Sequence, residues 1–378
     1  MAFYFFGYAA MGVMNPLISQ YLSSIGFNGT QIGTVTSVAT AIAVFASAFW
    51  GDRYTNSRDG RKIIAMICLA AAVMGIVNTF VTIFFLFVLS YGLQYFFQGP
   101  VMGVSDALVL ENDHDNFSSI RLCGAVGYAA AVFAGGKIGD EFGLTNIFYI
   151  YMGLYVLAAV TVMMTSNREK RSDGEHRKSE RVGYGQLLKD KKALQLIICG
   201  IFVMGTNVAN NTYFGFLFKD GGGTVAGIGT AFLFMVGSEA PFMALAPKLC
   251  RRFTQEKVIV AAMILSALRF GFYALGPSDE ILLMTFFLQG MVNGILLTEY
   301  VKYLSNAVSP HHIGIAIAAF YAVSSNGGTI ICNFFGGVAM DLFGSIGVYA
   351  LFSILNLIGV VLYLLFGLHR TSKTHQKK

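Results

Sequence analysis

The chain has 378 residues, of which 55% are hydrophobic and 12% charged, whereas a water-soluble domain carries about 25% charged residues. That balance excludes a soluble enzyme and calls for a polytopic membrane protein. The formal charge of +6 is gathered in a few loops, so it reports topology and gives no basic face for nucleic acid.

Each apolar run of about 18 residues or more can span a bilayer. Twelve such runs are expected, at 2–21, 31–50, 63–80, 82–110, 120–138, 146–165, 194–218, 223–247, 257–276, 281–304, 312–335 and 345–367. The first, Ala2 to Tyr21, has no basic stretch or cleavage site before it and reads as a true span; the natural start is expected upstream of Met1. The 43 glycines against 6 prolines suit helices whose backbones approach closely in lipid. Five cysteines, Cys68, Cys123, Cys199, Cys250 and Cys332, lie in or beside apolar runs without C-x-x-C spacing and are expected as free thiols.

Lysines and arginines set the orientation. Arg53, Arg58, Arg61 and Lys62 follow the second run, Lys248, Arg251, Arg252 and Lys257 follow the eighth, and Arg370, Lys373, Lys377 and Lys378 form the tail. The connection from Ser166 to Lys192 adds nine more, while the opposite side has Lys137 and Lys219. Both termini are therefore expected in the cytoplasm, in a multi-pass protein of the cell membrane. The connection mixes charge signs and lacks an apolar period, so it is a solvated linker with a short amphipathic helix near Tyr184 to Leu188. The expected units are an N-terminal six-helix half (1–165), the linker (166–192), a C-terminal six-helix half (193–369) and a tail (370–378). An internal repeat supports the division: GGKIGDEFG at Gly135 to Gly143 matches GGVAMDLFG at Gly336 to Gly344 at equivalent places in the two halves. The fold class is all-α, twelve transmembrane helices in two halves, an architecture that places a solute site at the midplane between them.

Within the apolar run from Ile63 to Leu110 the sole charge is Asp106, and Arg121 opens the next run. A carboxylate deep in a lipid-embedded helix costs about 2.5 to 3.5 kcal/mol on insertion scales, so it needs a partner, a water-filled space or a function. Gln94, Gln98 and Ser105 fall within about 40° of one another on a helical wheel, with Asp106 about 80° away, so one helix face is polar along most of its length. Arg121 and Tyr128, seven apart, share a face of the next helix. An aromatic ring beside an arginine and a carboxylate is a platform for a sugar or a nucleobase. In the second half Asn207, Asn210 and Asn211, then Gln289 and Asn293, then Tyr321, Asn326 and Asn333 form further polar sets. Asn207, Asn211, Gln289 and Asn293 join Gln94, Gln98, Asp106, Arg121 and Tyr128 as expected substrate ligands. Glu239 and Arg269 are isolated charges expected to pair across the cavity and to carry proton coupling. Glu299 and Lys302, three apart, are expected as a structural pair, and His311-His312 as a solvated helix start without metal.

From end to end the chain resembles the major facilitator superfamily, and within it the branch of the lactose permease, the nucleoside:proton symporters and the phenylpropionate permeases. The carrying residues are Gly12, Pro16, Tyr21, Leu22, Gly26, Gln31, Ile32 and Gly33 in the opening run; Pro100 and Asp106 in the fourth; Ile120, Arg121, Gly124, Gly127 and Tyr128 in the fifth; and Glu239, with Ala246-Pro247 and Arg251-Arg252, and Arg269 beyond the linker. The resemblance implies alternating access about a midplane site. It also implies a gating role for Asp52, Arg53, Arg61 and Lys62, although the superfamily's cytoplasmic signature is here interrupted by YTNSRD. In the tenth run, where the lactose permease has a histidine and a glutamate for proton coupling, this chain has Gln289, Val292 and Asn293.

No Walker loop, H-E-x-x-H or G-x-S-x-G occurs, so neither ATP hydrolysis nor membrane-embedded peptidase or esterase chemistry is expected. No cofactor is expected. The expected function is secondary active transport of a small polar organic solute, a sugar or nucleoside, by proton symport through a monomer. The alternatives are drug or metabolite efflux and a non-transporting sensor on a transporter fold.

Overall fold

The computed structural model describes residues 1–113, 116–165, 190–309 and 312–369. The expected linker helix, His311 and the basic tail lie outside these residues. The order of helices is α1 (Ala2–Met14), α2 (Ile18–Ser24), α3 (Gly29–Thr55), α4 (Gly60–Thr79), α5 (Phe84–Gln98), α6 (Val101–Asn112), α7 (Phe117–Phe142) and α8 (Asn146–Met163). After the linker come α9 (Lys191–Asp220), α10 (Val225–Phe253), α11 (Gln255–Tyr273), α12 (Asp279–Thr285), α13 (Phe287–Ile295), α14 (Val301–Ala307), α15 (Ile313–Ala319) and α16 (Gly328–Leu365). Two π-helical stretches, Leu296–Tyr300 and Phe320–Gly327, join α13 to α14 and α15 to α16.

The described residues contain eight helical spans long and apolar enough to cross a membrane: α3, α4, most of α7, α8, α9, α10, the continuous stretch Asp279–Ala307, and Ile313–Leu365. The expected first and fourth runs are each broken into two shorter helices. Pro16 interrupts α1 and α2, and Gly99-Pro100 separates α5 from α6, because proline supplies no N–H and displaces the preceding turn. The expected ninth run falls on α11, and the eleventh and twelfth lie within Ile313–Leu365, bent at Gly344 (φ 69°, ψ −167°). That backbone conformation is open to glycine and strained for any residue with a Cβ.

Helix starts follow from local chemistry. Asn28 and Gln31 form a reciprocal capping box on α3, while Asp59, Asp190 and Thr224 cap α4, α9 and α10 through side-chain oxygens. Such caps satisfy N–H groups that lie beyond the reach of intrahelical bonds.

One apolar core runs through α1 to α8 and continues into residues 209–218 of α9, 225–235 of α10, Phe270, Tyr273, Leu282, Phe286 and the middle of α16. A second core joins Ala193 to Met204, Val258 to Met263, Val292 to Leu304, Ala316 to Phe320 and Val360 to Leu368. The helices before residue 165 therefore share apolar packing with those after residue 190 at one end of the molecule. The main junctions there are α3 on α16 and α7 on α10. Gly29 and Gly337 lie backbone to backbone, so that a Cβ on either would overlap the other's carbonyl, and Gly136 meets Val225 and Gly229 in the same way.

Candidate functional site

Helix α1 presents Tyr4 and Tyr8 one turn apart, their rings stacked 5.3 Å between centroids at 18°. Both are buried. The Tyr4 hydroxyl donates to Oδ1 of Asp106, which is half-buried on α6. The Tyr8 hydroxyl lies against the Arg121 guanidinium and within electrostatic reach of Asp106. Arg121, near the start of α7, is exposed although its helix is apolar, and its guanidinium lies 6.0 Å from the Phe117 ring centroid. No ion pair joins Asp106 to Arg121 among the described residues; the tyrosine stack links them instead.

Two further groups approach from beyond the linker. Glu239, half-buried on α10, has Arg121 as the charge acting on it. Tyr321, in the second π-helical stretch, also interacts electrostatically with Arg121. One guanidinium is thus shared by elements from both sides of the linker: α1, α6 and its own α7 before it, α10 and the Phe320–Gly327 turn after it. An open arginine with two carboxylates and three phenols around it can donate paired hydrogen bonds, accept from hydroxyls and stack on an apolar ring face. Tyr128, half-buried on the same helix, lies within reach of Glu239 and Tyr95.

Other expected ligands sit elsewhere. Gln94 and Gln98 are fully buried and belong to a closed network: Asn78 Nδ2 donates to Gln94 Oε1 (2.6 Å), Gln94 Nε2 to Gln98 Oε1 (3.2 Å), Tyr151 OH to Gln98 Oε1 (2.8 Å), and Gln98 Nε2 to Asn15 Oδ1 (3.1 Å). The polar face of α5 joins the end of α1 to α4 and α8. Asn207 and Gln289 are likewise sealed: Asn207 Nδ2 donates to Ser266 Oγ (2.9 Å) and Gln289 Nε2 to the Asn207 carbonyl (2.9 Å). Asn211 and Asn293 are half-buried.

The expected Glu239–Arg269 ion pair is absent among the described residues. Arg269 is 3% exposed and donates from Nη2 to Asn207 Oδ1 at 3.1 Å. The two charges diverge because Glu239 turns toward α7 while Arg269 turns into the packing of α9 and α11. Glu299 does pair with Lys302 (2.8 Å), and Gln255 Nε2 donates to the same carboxylate at 3.0 Å.

The model of the MFS_1 like family matches residues 1–351. The chain belongs to the major facilitator superfamily. It is similar to the maltose permease of Geobacillus stearothermophilus, with 30% identity covering 99% of this chain and 95% of that one. Its fold is that of the nucleoside transporter NupG: one crystal structure matches with a TM-score of 0.84 at 18% identity over 98% of both chains. A mutant of NupG matches with 0.87 at 16% identity over 96% of this chain and 98% of that one. It is thus a multi-pass membrane transporter and not an enzyme.

In this major facilitator chain the four expected gating residues engage close neighbours. Asp52 accepts from Asn56 Nδ2 (3.1 Å), Arg53 stacks 4.8 Å from the Phe49 centroid, Arg61 pairs with Asp59 (3.0 Å) and donates to the Thr165 carbonyl (2.5 Å), and Lys62 is exposed. The Arg61 hydrogen bond holds the Asp59 carboxyl below the usual carboxylate range. None of these bonds crosses to residues after 190. The crossing bonds lie at the other end, where Asp341 on α16 accepts from the Gly29 N–H (2.6 Å), the Thr30 N–H (2.8 Å) and the Thr30 hydroxyl (2.5 Å). A carboxylate there meets the unsatisfied N–H groups and positive dipole end of α3. About two turns further along α3, Ser37 Oγ donates to the Ile330 carbonyl (2.9 Å).

Tyr4, Tyr8 and Asp341 are the residues that sequence reasoning passed over. The i, i+4 tyrosine pair in the first apolar run was the available signal for the first two, and the repeat around Asp140 and Asp341 for the third.

Proposed function

We propose that this chain is a proton-coupled importer of a small polyhydroxylated solute, a sugar or a nucleoside, acting as a monomer in the cell membrane with both termini in the cytoplasm. Twelve spans form two six-helix halves, residues 1–165 and 193–369, joined by the linker 166–192 and followed by the tail 370–378. The carrying observation is Arg121, whose charge reaches Asp106 on α6 and Glu239 on α10, one from each side of the linker. A solute bound there would contact both halves, the condition for a site to be exposed to either face by their rocking. Similarity to a maltose permease and the fold of a nucleoside transporter support the solute class.

Asp106, Arg121 and Tyr128 bind the solute, with Tyr4, Tyr8 and Tyr321 completing the polar wall, and Asn211 and Asn293 contribute from the second half. Glu239 carries the proton, its charge opposed by Arg121. Gln94, Gln98, Asn207, Gln289 and Arg269 hold the bundles together and do not touch the solute. With the basic loops inside, the end closed by Asp341 and Gly29 is the outer one, and Asp52, Arg53, Arg61 and Lys62 stand ready to latch the inner end in the opposite state.

The test is uptake of radiolabelled maltose and of a nucleoside by proteoliposomes, with and without an inward proton gradient. Gradient-dependent accumulation of either solute is expected. Extrusion of amphipathic dyes without uptake, or binding without translocation, would replace the proposal.

A further inference from the structure

Arg269 is a cation without a counter-charge. The residue is 3% exposed, and no carboxylate lies within ion-pair distance among the described residues. Its one hydrogen bond runs from Nη2 to the neutral Asn207 amide, leaving Nε and Nη1 without partners. The ionisable groups in electrostatic reach are the phenols of Tyr273 and Tyr349. A guanidinium cannot shed its proton to escape burial. A buried charge that stands alone is strongly destabilising. The rings of Phe270 and Tyr273, 4.4 and 5.7 Å from the guanidinium carbon, offset part of that cost by cation–π attraction. A deficit remains.

A second unpartnered donor faces the same interior. Asn210, fully buried one turn along α9 from Asn207, accepts the Tyr349 hydroxyl on Oδ1 at 2.8 Å. With the hydroxyl donating to Oδ1, Nδ2 is left without a partner. Gln289 also retains an unpartnered Oε1, but a neutral carbonyl brings no charge. The interior between α9 and α11 therefore holds a positive charge and three unpartnered donor nitrogens, and it is closed by Phe270, Tyr273 and Tyr349, each 0% exposed.

We propose that this interior binds a small anion of halide size, held by Arg269 and Asn210, as a fixed counter-ion of the C-terminal helices. The site is separate from the arginine of the solute site.

The probe is sodium chloride titrated against sodium gluconate at constant ionic strength and pH, read by thermal unfolding of the full chain purified in detergent. A saturable rise in Tm of about 2 to 4 °C is expected with chloride, because a ligand that binds only the folded state stabilises it by mass action. Arg269→Gln should remove the chloride dependence. Equal Tm in both salts, or an unchanged chloride effect in Arg269→Gln, would overturn the proposal. Should that variant fail to fold, crystals of the native chain grown in sodium bromide decide: an anomalous peak at hydrogen-bond distance from Arg269 supports the site, and its absence refutes it.

Discussion

Arg121 and Arg269 both interrupt apolar helices, yet their surroundings are opposite. Arg121 is exposed, with carboxylates and phenols drawn from several elements around it; Arg269 is 3% exposed, with amides, aromatic faces and no acid. An arginine at an accessible position keeps donor nitrogens within reach of a solute. A sealed one needs permanent compensation, which makes it part of the scaffold. The same residue type in the same kind of segment thus meets two opposite environments.

The sharpest way to break this contrast is to replace each arginine by lysine, which keeps the charge and loses the planar fork. Arg121→Lys should lower solute uptake by about 100-fold and leave Tm nearly unchanged. Arg269→Lys should instead lower Tm while the remaining folded protein transports. Loss of uptake with intact stability in both variants would erase the distinction.

Glu239→Gln follows in size. It should abolish accumulation driven by a proton gradient and leave roughly half of solute exchange, since exchange needs no net proton release. Full accumulation in this variant would move coupling to another residue.

A smaller effect is expected at the tyrosine stack. Tyr4→Phe removes the hydroxyl that donates to Asp106 and keeps the ring on Tyr8, so the half-saturating solute concentration should rise about tenfold. An unchanged value would place Asp106 outside the solute's contact.

The smallest effect concerns the closed end. Asp341 is exposed, so screening limits its three bonds to α3, and Asp341→Asn should raise labelling of a Ser37→Cys probe about threefold in a background without native cysteines. Asp52→Asn, whose partner Asn56 lies on the same side of the linker, should leave that rate unchanged.

Charges were conspicuous in the sequence and the partners of amides were not, and the reason is physical. A lone charge in an apolar run is conspicuous because its burial is expensive, so Asp106, Arg121, Glu239 and Arg269 stood out before any packing was known. Gln94 and Gln98 share a polar helix face whether that face lines a cavity or a seam between helices. Their partners Asn15, Asn78 and Tyr151 lie on three other helices, and helical periodicity fixes a face without saying what it meets.

By itself the sequence determined that this protein lives in a membrane, that its long apolar segments are helical, and which charges require an explanation. These depend on composition and on contacts within about four residues along the chain. Tertiary structure alone decided that Arg121 faces Glu239 while Arg269 does not, that Tyr4 holds Asp106 from 102 residues away, and that Asp341 caps a helix beginning 312 residues earlier. Each depends on the rotation and depth of one helix against another. Those are set by close glycine contacts and the packing of many small apolar contributions, which no local pattern encodes.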